Sequence, residues 1–129
     1  MPGKKKSILV ADDDEEVLYV LETMLKTAGY NVTTMIRGEE VLAIKKDLPD
    51  LILLDIWMAG IDGRRICKHL KNQSSTKHIP VIFISANKDT EVMATHAGAD
   101  DFIYKPFDMD DLLQTVAKYL NKKRKKRDL

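Results

Sequence analysis

The sequence predicts an α/β fold in which helices cover both faces of one parallel, five-stranded sheet. Short apolar runs such as Ile8–Ala11 and Leu51–Leu54 lack polar alternation, which is typical of strands buried on both faces. Segments with helical apolar spacing separate these runs, so strands and helices alternate in a doubly wound order. Four of the runs end in or lead directly into groups that bind metals or phosphoryl groups, namely Asp12 and Asp13, Asp55, Ser85, and Lys105. Open parallel sheets bind ligands at the carboxyl ends of their strands, so we expect these groups to share one crevice.

Length and composition indicate one globular domain. The chain has 129 residues, of which 44% are hydrophobic and 32% charged, which excludes a disordered or membrane-embedded protein. No apolar stretch approaches the roughly 20 residues of a spanning helix, and no secretory signal opens the chain, so we expect a cytoplasmic location. Cys67 is the only cysteine, which excludes an internal disulfide and a cysteine metal cluster; we expect it in the core.

Basic residues are concentrated at the two ends of the chain. We therefore expect a basic N-terminal extension over residues 1–6, a globular domain over 7–121, and a basic tail or truncated linker over 122–129. The run Lys122–Arg127 lacks interleaved aromatic residues and a recognition motif, so nucleic acid is not an expected partner. Contact of this tail with nucleic acid or anionic lipid remains the alternative to a solvated segment.

The first half of the chain contains three predicted strands. After Ile8–Ala11, apolar residues at helical spacing follow Asp14 and end at Ala28–Gly29, which predicts the first helix. The β-branched segment Tyr30–Met35 predicts the second strand, and Gly38–Lys46 predicts the second helix. The third strand is predicted over Leu51–Asp55.

The segment after the third strand predicts a loop and a helix. Gly60–Gly63 has the composition of a loop, and Asp62 within it can cap a helix that continues to about Lys71. The fourth strand is predicted over Val81–Ser85, directly after Pro80.

The last third repeats the alternation. A weaker helix is predicted over Asp89–His96, followed by a short fifth strand over Asp101–Tyr104. Asp108 is expected to cap a final helix whose apolar face continues to Leu120. Acidic residues in its first turn and lysines near its end match the helix dipole.

Four segments of the chain resemble the signature segments of receiver domains in two-component response regulators. They are Val10–Asp14, Leu53–Gly63, Val81–Ala86 and Lys105–Phe107, and the resemblance covers about Lys6 to Leu120. It implies a flavodoxin-like three-layer sandwich with strand order 2-1-3-4-5. It also implies a phosphoacceptor switch, whose only catalysis is its own phosphoryl transfer and autodephosphorylation, and not a conventional enzyme.

The aspartates at the strand ends suit a hard divalent cation. Magnesium prefers oxygen ligands in octahedral geometry, and Asp12, Asp13 and Asp55 supply carboxylates. The resemblance implies that Asp13 and Asp55 bind Mg²⁺ directly with the backbone carbonyl of Trp57, that Asp12 acts through a bound water, and that Mn²⁺ can substitute. Because clustered carboxylates repel one another, at least one should have a raised pKa without the cation.

The resemblance assigns phosphoryl acceptance to Asp55. A carboxylate can act as a covalent nucleophile if the charge on the transferred oxygens is neutralised, and Lys105 can pair with that charge. In the family, the Lys-Pro peptide bond at this position is usually cis. The alternative to a role in phosphoryl transfer is that Asp55 is a solvated strand end or a helix cap and that Lys105 is a surface lysine.

Five further positions are expected to control the phosphorylated state. By resemblance, Ser85 bonds a phosphoryl oxygen and Phe102 moves into the space that opens, which makes both switch residues. Trp57 and Asn87 occupy positions that tune the phosphoryl lifetime, and the small Ala86 leaves access to the bond. One departure is Ala59, where many receivers carry proline, which loosens the loop after the third strand.

The implied partners are proteins. The phosphoryl group would come from a sensor histidine kinase or histidine phosphotransfer protein, and a downstream protein would bind the surface of the fourth helix, fifth strand and fifth helix. A phosphorylation-dependent homodimer is also consistent with the family. Alternatives are the receiver part of a longer transcriptional or enzymatic regulator, or nucleic-acid binding through the tail. A phosphatase with an aspartyl nucleophile would need aspartate where Trp57 stands.

Overall fold

The structure is a computed structural model that describes residues 5–58, 60–86 and 97–127, with side chains described up to residue 121. Five strands form the main sheet: β1 (Ser7–Ala11), β2 (Asn31–Met35), β3 (Leu51–Asp55), β4 (Val81–Ser85) and β5 (Asp101–Tyr104). The helices are α1 (Glu15–Thr27), α2 (Gly38–Leu42), α3 (Gly63–Lys71) and a C-terminal helix (Met109–Arg127). The strands Trp57–Met58 and Ile61–Asp62 form a separate hairpin.

The sheet has the predicted doubly wound topology. Its order is β2-β1-β3-β4-β5, and all of its pairs are parallel. Ala11 lies opposite Leu54, Asp55 opposite Ile84, and Ser85 opposite Tyr104. The carboxyl ends of these strands therefore lie at one edge of the sheet, as the predicted crevice requires.

Two apolar layers, one on each face of the sheet, hold the fold together. On one face, Ile8 and Val10 of β1 belong to a buried cluster with leucines of α1 and the C-terminal helix. On the other face, Leu9 and Ala11 belong to a cluster with α2 and α3. Successive strand residues point to opposite faces, which explains why the runs are continuously apolar. Cys67 is buried in the second cluster, as predicted.

Aspartate side chains cap two helices, and the cap at Asp62 is the one that the sequence predicted. The Asp14 carboxylate accepts hydrogen bonds from the backbone N–H groups of Glu16 (2.9 Å) and Val17 (3.4 Å) at the start of α1. Asp62 accepts one from the N–H of Arg64 (2.8 Å) at the start of α3. These bonds satisfy backbone donors that have no partner within the helix.

Helix α2 is shorter than the sequence predicted. It ends at Leu42 instead of Lys46. The N–H groups of Ala43 and Ile44 bond carbonyls three residues earlier, those of Glu40 and Val41, so the last turn tightens and the helix stops. Ile44 nevertheless packs against the core, which explains why the apolar spacing suggested further helix.

The prediction of a loop over Gly60–Gly63 was wrong in detail. Trp57 pairs with Asp62, and Met58 pairs with Ile61, in a short antiparallel hairpin. The N–H of Gly63 then donates to the carbonyl of Ile56 (2.6 Å), which joins the start of α3 to the segment after β3.

Helical backbone continues past the last apolar position of the C-terminal helix. The helix ends at Arg127, beyond Leu120, where its apolar pattern stops. The predicted helix over 89–96, Asn87 and Ala59 lie outside the described residues. Among the described helices, none has a stretch long and apolar enough to cross a membrane.

Candidate functional site

Three carboxylates meet at the carboxyl edge of the sheet. Asp12 and Asp13 follow β1, and Asp55 ends β3. Asp12 and Asp55 are buried, with 1% and 6% of their surface exposed, whereas Asp13 is exposed. One carboxylate oxygen from each residue lies within 4.8 Å of the other two. The adjacency of β1 and β3 thus brings together residues that are far apart in sequence.

Lys105 reaches into this cluster from the end of β5. Its Nζ lies 3.1 Å from Oδ2 of Asp12 and 3.8 Å from Oδ1 of Asp55. The Lys105 backbone N–H donates to the Ser85 carbonyl (2.9 Å), and the Lys105–Pro106 peptide bond is cis. Lys105 therefore pairs mainly with Asp12 and only partly compensates Asp55.

The pKa of Asp55 is raised to about 7. Burial is the largest cause, followed by repulsion from Asp12, while Lys105 lowers the pKa, Asp13 raises it and a backbone hydrogen bond from Trp57 lowers it. One lysine cannot neutralise three neighbouring carboxylates, so the buried charge on Asp55 remains unfavourable. From the sequence, repulsion between the clustered carboxylates was expected to raise the pKa of at least one of them. In the structure, the carboxylate with the raised pKa is that of Asp55.

The donor set fits a hard divalent cation. All three side chains offer carboxylate oxygen, the donor that magnesium prefers, and one oxygen from each lies within 4.8 Å of the other two. The exposed Asp13 leaves the cluster accessible from solvent. The cluster also carries more negative charge than Lys105 can balance, so a cation would remove an unfavourable interaction.

Ser85 and Phe102 lie on adjacent strands beside the cluster. Ser85 is buried at the end of β4, and the exposed Ala86 follows it. Phe102 is half-buried in β5 opposite Phe83, and its ring makes an edge-to-face contact with Tyr104 at a centroid distance of 5.1 Å. This pair connects the strand ends to the surface, because Tyr104 is exposed.

Trp57 makes a contact that sequence reasoning missed. The Arg64 guanidinium lies 5.1 Å from the centre of the Trp57 ring, and Arg64 also forms an ion pair with Asp62. Asp62 lies opposite Trp57 in the hairpin. Asp62, which caps α3, therefore also positions the Arg64 guanidinium over the exposed Trp57 ring. In the sequence, the two-residue spacing of Asp62 and Arg64 is the signal from which this contact could have been predicted.

Sequence reasoning also missed an apolar groove beside Lys105. The groove has a volume of about 360 Å³ and lies between α1 and the segment after β5. Val17, Val20 and Met24 line one side, and Pro106 and Phe107 line the other.

The comparisons with known proteins settle the family. The family model for the response regulator receiver domain matches residues 8–117. The chain belongs to the receiver domain family. This receiver is 42% identical over 104 residues to the response regulator PleD of Caulobacter vibrioides, covering 78% of the chain and 23% of PleD.

Solved receiver structures superpose on nearly the whole chain. A CheY-like receiver domain protein from Methanospirillum hungatei JF-1 has a TM-score of 0.86 and 28% identity, with 95% of this chain and 99% of that chain covered. The receiver domain of the sensor histidine kinase PA1611 from Pseudomonas aeruginosa PAO1, solved with magnesium in its active-site cleft, has a TM-score of 0.84 and 26% identity, with 92% and 99% covered. The receiver spans about half or less of the curated relatives it matches. Its family is one of signalling switches.

Proposed function

We propose that the receiver accepts a phosphoryl group on Asp55 from a histidine kinase or a histidine phosphotransfer protein. The observation that carries this proposal is the buried Asp55 carboxylate, which is flanked by Asp12, Asp13 and Lys105 at the end of β3. Lys105 lowers the pKa of Asp55 and a bound cation would lower it further, which favours the ionised carboxylate that can attack phosphorus.

The transfer makes one bond and breaks one. An Asp55 carboxylate oxygen forms a bond to phosphorus while the phosphorus–nitrogen bond of the donor phosphohistidine breaks, and the donor keeps its imidazole. Lys105 lies 3.8 Å from the Asp55 carboxylate, so it can pair with the phosphoryl oxygens after transfer.

We infer that Asp12, Asp13, Asp55 and the backbone carbonyl of Trp57 hold Mg²⁺, with Asp12 acting through water and Mn²⁺ as a substitute. When bound, the ion neutralises charge on the transferred oxygens. The oxygen-only donor set and its separation support this assignment. The magnesium in the cleft of the PA1611 receiver supports it by similarity.

Ser85, Lys105 and Phe102 are the proposed switch. The buried Ser85 would bond a phosphoryl oxygen and draw the end of β4 inward, and Phe102 would move toward the space that this opens. Tyr104 would move with Phe102 because their rings are in contact. Phosphorylation would thereby shift an equilibrium between two conformations that present different surfaces at β5.

The two sides of the domain are proposed to bind different partners. The apolar groove beside Lys105 offers the phosphodonor a contact close to Asp55. The surface around β5 and the C-terminal helix would report the switch to a downstream protein or to a second copy in a phosphorylation-dependent dimer. As an alternative, this receiver acts as one segment of a longer regulator, which the greater length of its curated relatives favours.

Incubation with a small phosphodonor and Mg²⁺ tests the proposed nucleophile. We expect the wild type to shift on a phosphate-retarding gel and Asp55→Asn to show no shift, because an amide oxygen is a poor nucleophile. Asp111→Asn is the matched control, since Asp111 is exposed on the C-terminal helix, and it should shift like the wild type. Equal shifts in wild type and Asp55→Asn would overturn the proposal.

We propose that Trp57 shields the phosphoryl group from water and that Ala86 and Asn87 tune the access of water to it. We therefore expect Trp57→Ala to shorten the half-life of the phosphorylated protein several-fold, while Trp57→Phe retains most of the protection. The measurement is loss of phosphate after removal of the donor. An autodephosphorylation rate that is the same in Trp57→Ala and wild type would refute the shielding role.

A further inference from the structure

The Arg64 side chain covers the ring of Trp57, which follows Asp55 by two positions. The Arg64 guanidinium carbon lies 5.1 Å from the centre of that ring. Trp57 is the only tryptophan of the chain, and 47% of its surface is exposed. A cation over an aromatic face is attracted by the electron density of the ring. Arg64 therefore restricts the orientations that the half-exposed Trp57 ring can take.

Asp62 fixes the orientation of the Arg64 guanidinium. The Arg64 Nε donates to both carboxylate oxygens of Asp62, at 3.0 Å to Oδ1 and 2.9 Å to Oδ2, and Nη2 also donates to Oδ2. Because the guanidinium is planar, these bonds set its plane as well as its position. Asp62 in turn pairs with Trp57 in the hairpin. The three residues Trp57, Asp62 and Arg64 thus form a closed set of contacts, which we call the Trp57 clamp.

The Trp57 clamp is joined to Asp55 through the backbone. A hydrogen bond from the Trp57 backbone reaches the Asp55 carboxylate. The Gly63 N–H, at the start of α3, donates to the carbonyl of Ile56 (2.6 Å), the residue between Asp55 and Trp57. The clamp is therefore held in place relative to the carboxylate that is proposed to accept the phosphoryl group.

The side chain of Arg64 is not needed for the cap of α3. The bond that caps this helix comes from the backbone N–H of Arg64 to Asp62 (2.8 Å), and any residue except proline supplies such a donor. A half-exposed ion pair contributes little to stability by itself. The neighbouring Arg65 is exposed, and it forms neither an ion pair nor a ring contact with the residues that the structure describes. The contact with Trp57 therefore distinguishes Arg64 from an ordinary surface arginine.

We propose that Arg64 is a positioning residue that sets the lifetime of the phosphoryl group on Asp55 by holding the Trp57 ring in place. Hydrolysis forms a bond from the oxygen of water to phosphorus and breaks the bond between phosphorus and the Asp55 oxygen. It leaves the Asp55 carboxylate and inorganic phosphate, which carries both protons of the water. The held ring restricts the approach of water to phosphorus, and a ring released from Arg64 restricts it less. This inference rests on the proposed phosphoryl acceptance by Asp55.

Acrylamide quenching of fluorescence tests the clamp without phosphorylation, because all tryptophan emission comes from Trp57. Arg64→Met keeps a long side chain without the charge, and Asp62→Asn keeps a residue that caps helices without the ion pair. We expect Arg64→Met to increase quenching, and Asp62→Asn to increase it by the same amount or less. Arg65→Met is the matched control and should be quenched like the wild type.

The lifetime is measured as loss of phosphate after the phosphodonor is removed. We expect Arg64→Met to shorten the half-life about two- to five-fold, the range that a half-exposed cation–π contact supports. Arg64→Lys keeps the cation but not the planar fork, so its half-life should lie between those of the wild type and Arg64→Met. Arg65→Met should have the half-life of the wild type.

A double-mutant cycle separates positioning from a general loss of structure. In a Trp57→Ala background, Arg64→Met should have no further effect on the half-life, because the ring that Arg64 positions is gone. An equal shortening in the two backgrounds would overturn the proposal, and so would quenching of Arg64→Met that equals quenching of the wild type.

The same measurements separate this inference from the proposed function. A wild type that takes no phosphoryl group, detected first on the phosphate-retarding gel, would overturn both together. A wild type that is phosphorylated on Asp55, with an unchanged half-life in Arg64→Met, would overturn the role of Arg64 alone.

Discussion

In metal-free solution at pH 8, Asp55→Asn is expected to raise the free energy of unfolding by about 3 kcal/mol. Ionised Asp55 is unfavourable in the folded state, where its pKa is about 7 instead of its ordinary 3.8 because of burial and the charge of Asp12. An amide of nearly the same size removes this charge. Urea unfolding followed by circular dichroism measures the difference.

The gain should depend on pH with a definite sign. Between about pH 4 and pH 7 the folded protein keeps a proton on Asp55 that the unfolded chain has lost, so wild-type stability falls as the pH rises through this window. The stabilising effect of Asp55→Asn should therefore be full above pH 7 and vanish near pH 4. A gain that is the same at pH 5 and pH 8 would contradict the assigned pKa.

Two controls separate this effect from a general benefit of removing charge. The pKa of Asp62 is lowered, chiefly by the side-chain hydrogen bond from Arg64, so Asp62→Asn should lower the free energy of unfolding at pH 8. Adding Mg²⁺ should stabilise the wild type by mass action and stabilise Asp55→Asn less. Equal Mg²⁺ effects on the two proteins would argue against Asp55 as a ligand.

The placement of the candidate site residues could largely be predicted, because these residues end or directly follow recognisable strands. Continuous apolar runs have few interpretations other than buried parallel strands, and polar groups directly after them must lie at the carboxyl edge. The pairing of Lys105 could not be predicted to the same depth. The Lys105 ammonium is closer to Asp12 than to Asp55. Which carboxylate charge it leaves less well balanced depends on how β1, β3 and β5 pack together.

Short elements escaped prediction because local signals were weak or ambiguous. Each strand of the hairpin at Trp57–Met58 has only two residues, too few for a periodic pattern. Helix α2 ends early although Ile44 continues its apolar spacing, because tertiary packing of Ile44 does not require helical backbone.

Gly63→Ala is expected to destabilise the fold by about 3 kcal/mol or more, the upper range for a forced steric overlap. A Cβ atom at this position would lie 2.4 Å from the Asp55 carbonyl oxygen and 2.9 Å from both Cα and the carbonyl oxygen of Ile56. These atoms belong to the backbone, so they cannot move aside as the end of a flexible side chain can. Thermal and urea unfolding measure the loss.

Gly29→Ala provides the matched control for this substitution. Gly29 has a φ of +102°, but a Cβ there would meet nothing within 4 Å, so the expected cost is the backbone strain alone, about 1 kcal/mol. A loss for Gly63→Ala no larger than that for Gly29→Ala would contradict the close approach of α3 to the end of β3. The larger loss should also be accompanied by weaker Mg²⁺ binding, because relief of the overlap must displace the Asp55 backbone and therefore its carboxylate. Gly29→Ala, at the far end of α1, should bind Mg²⁺ like the wild type.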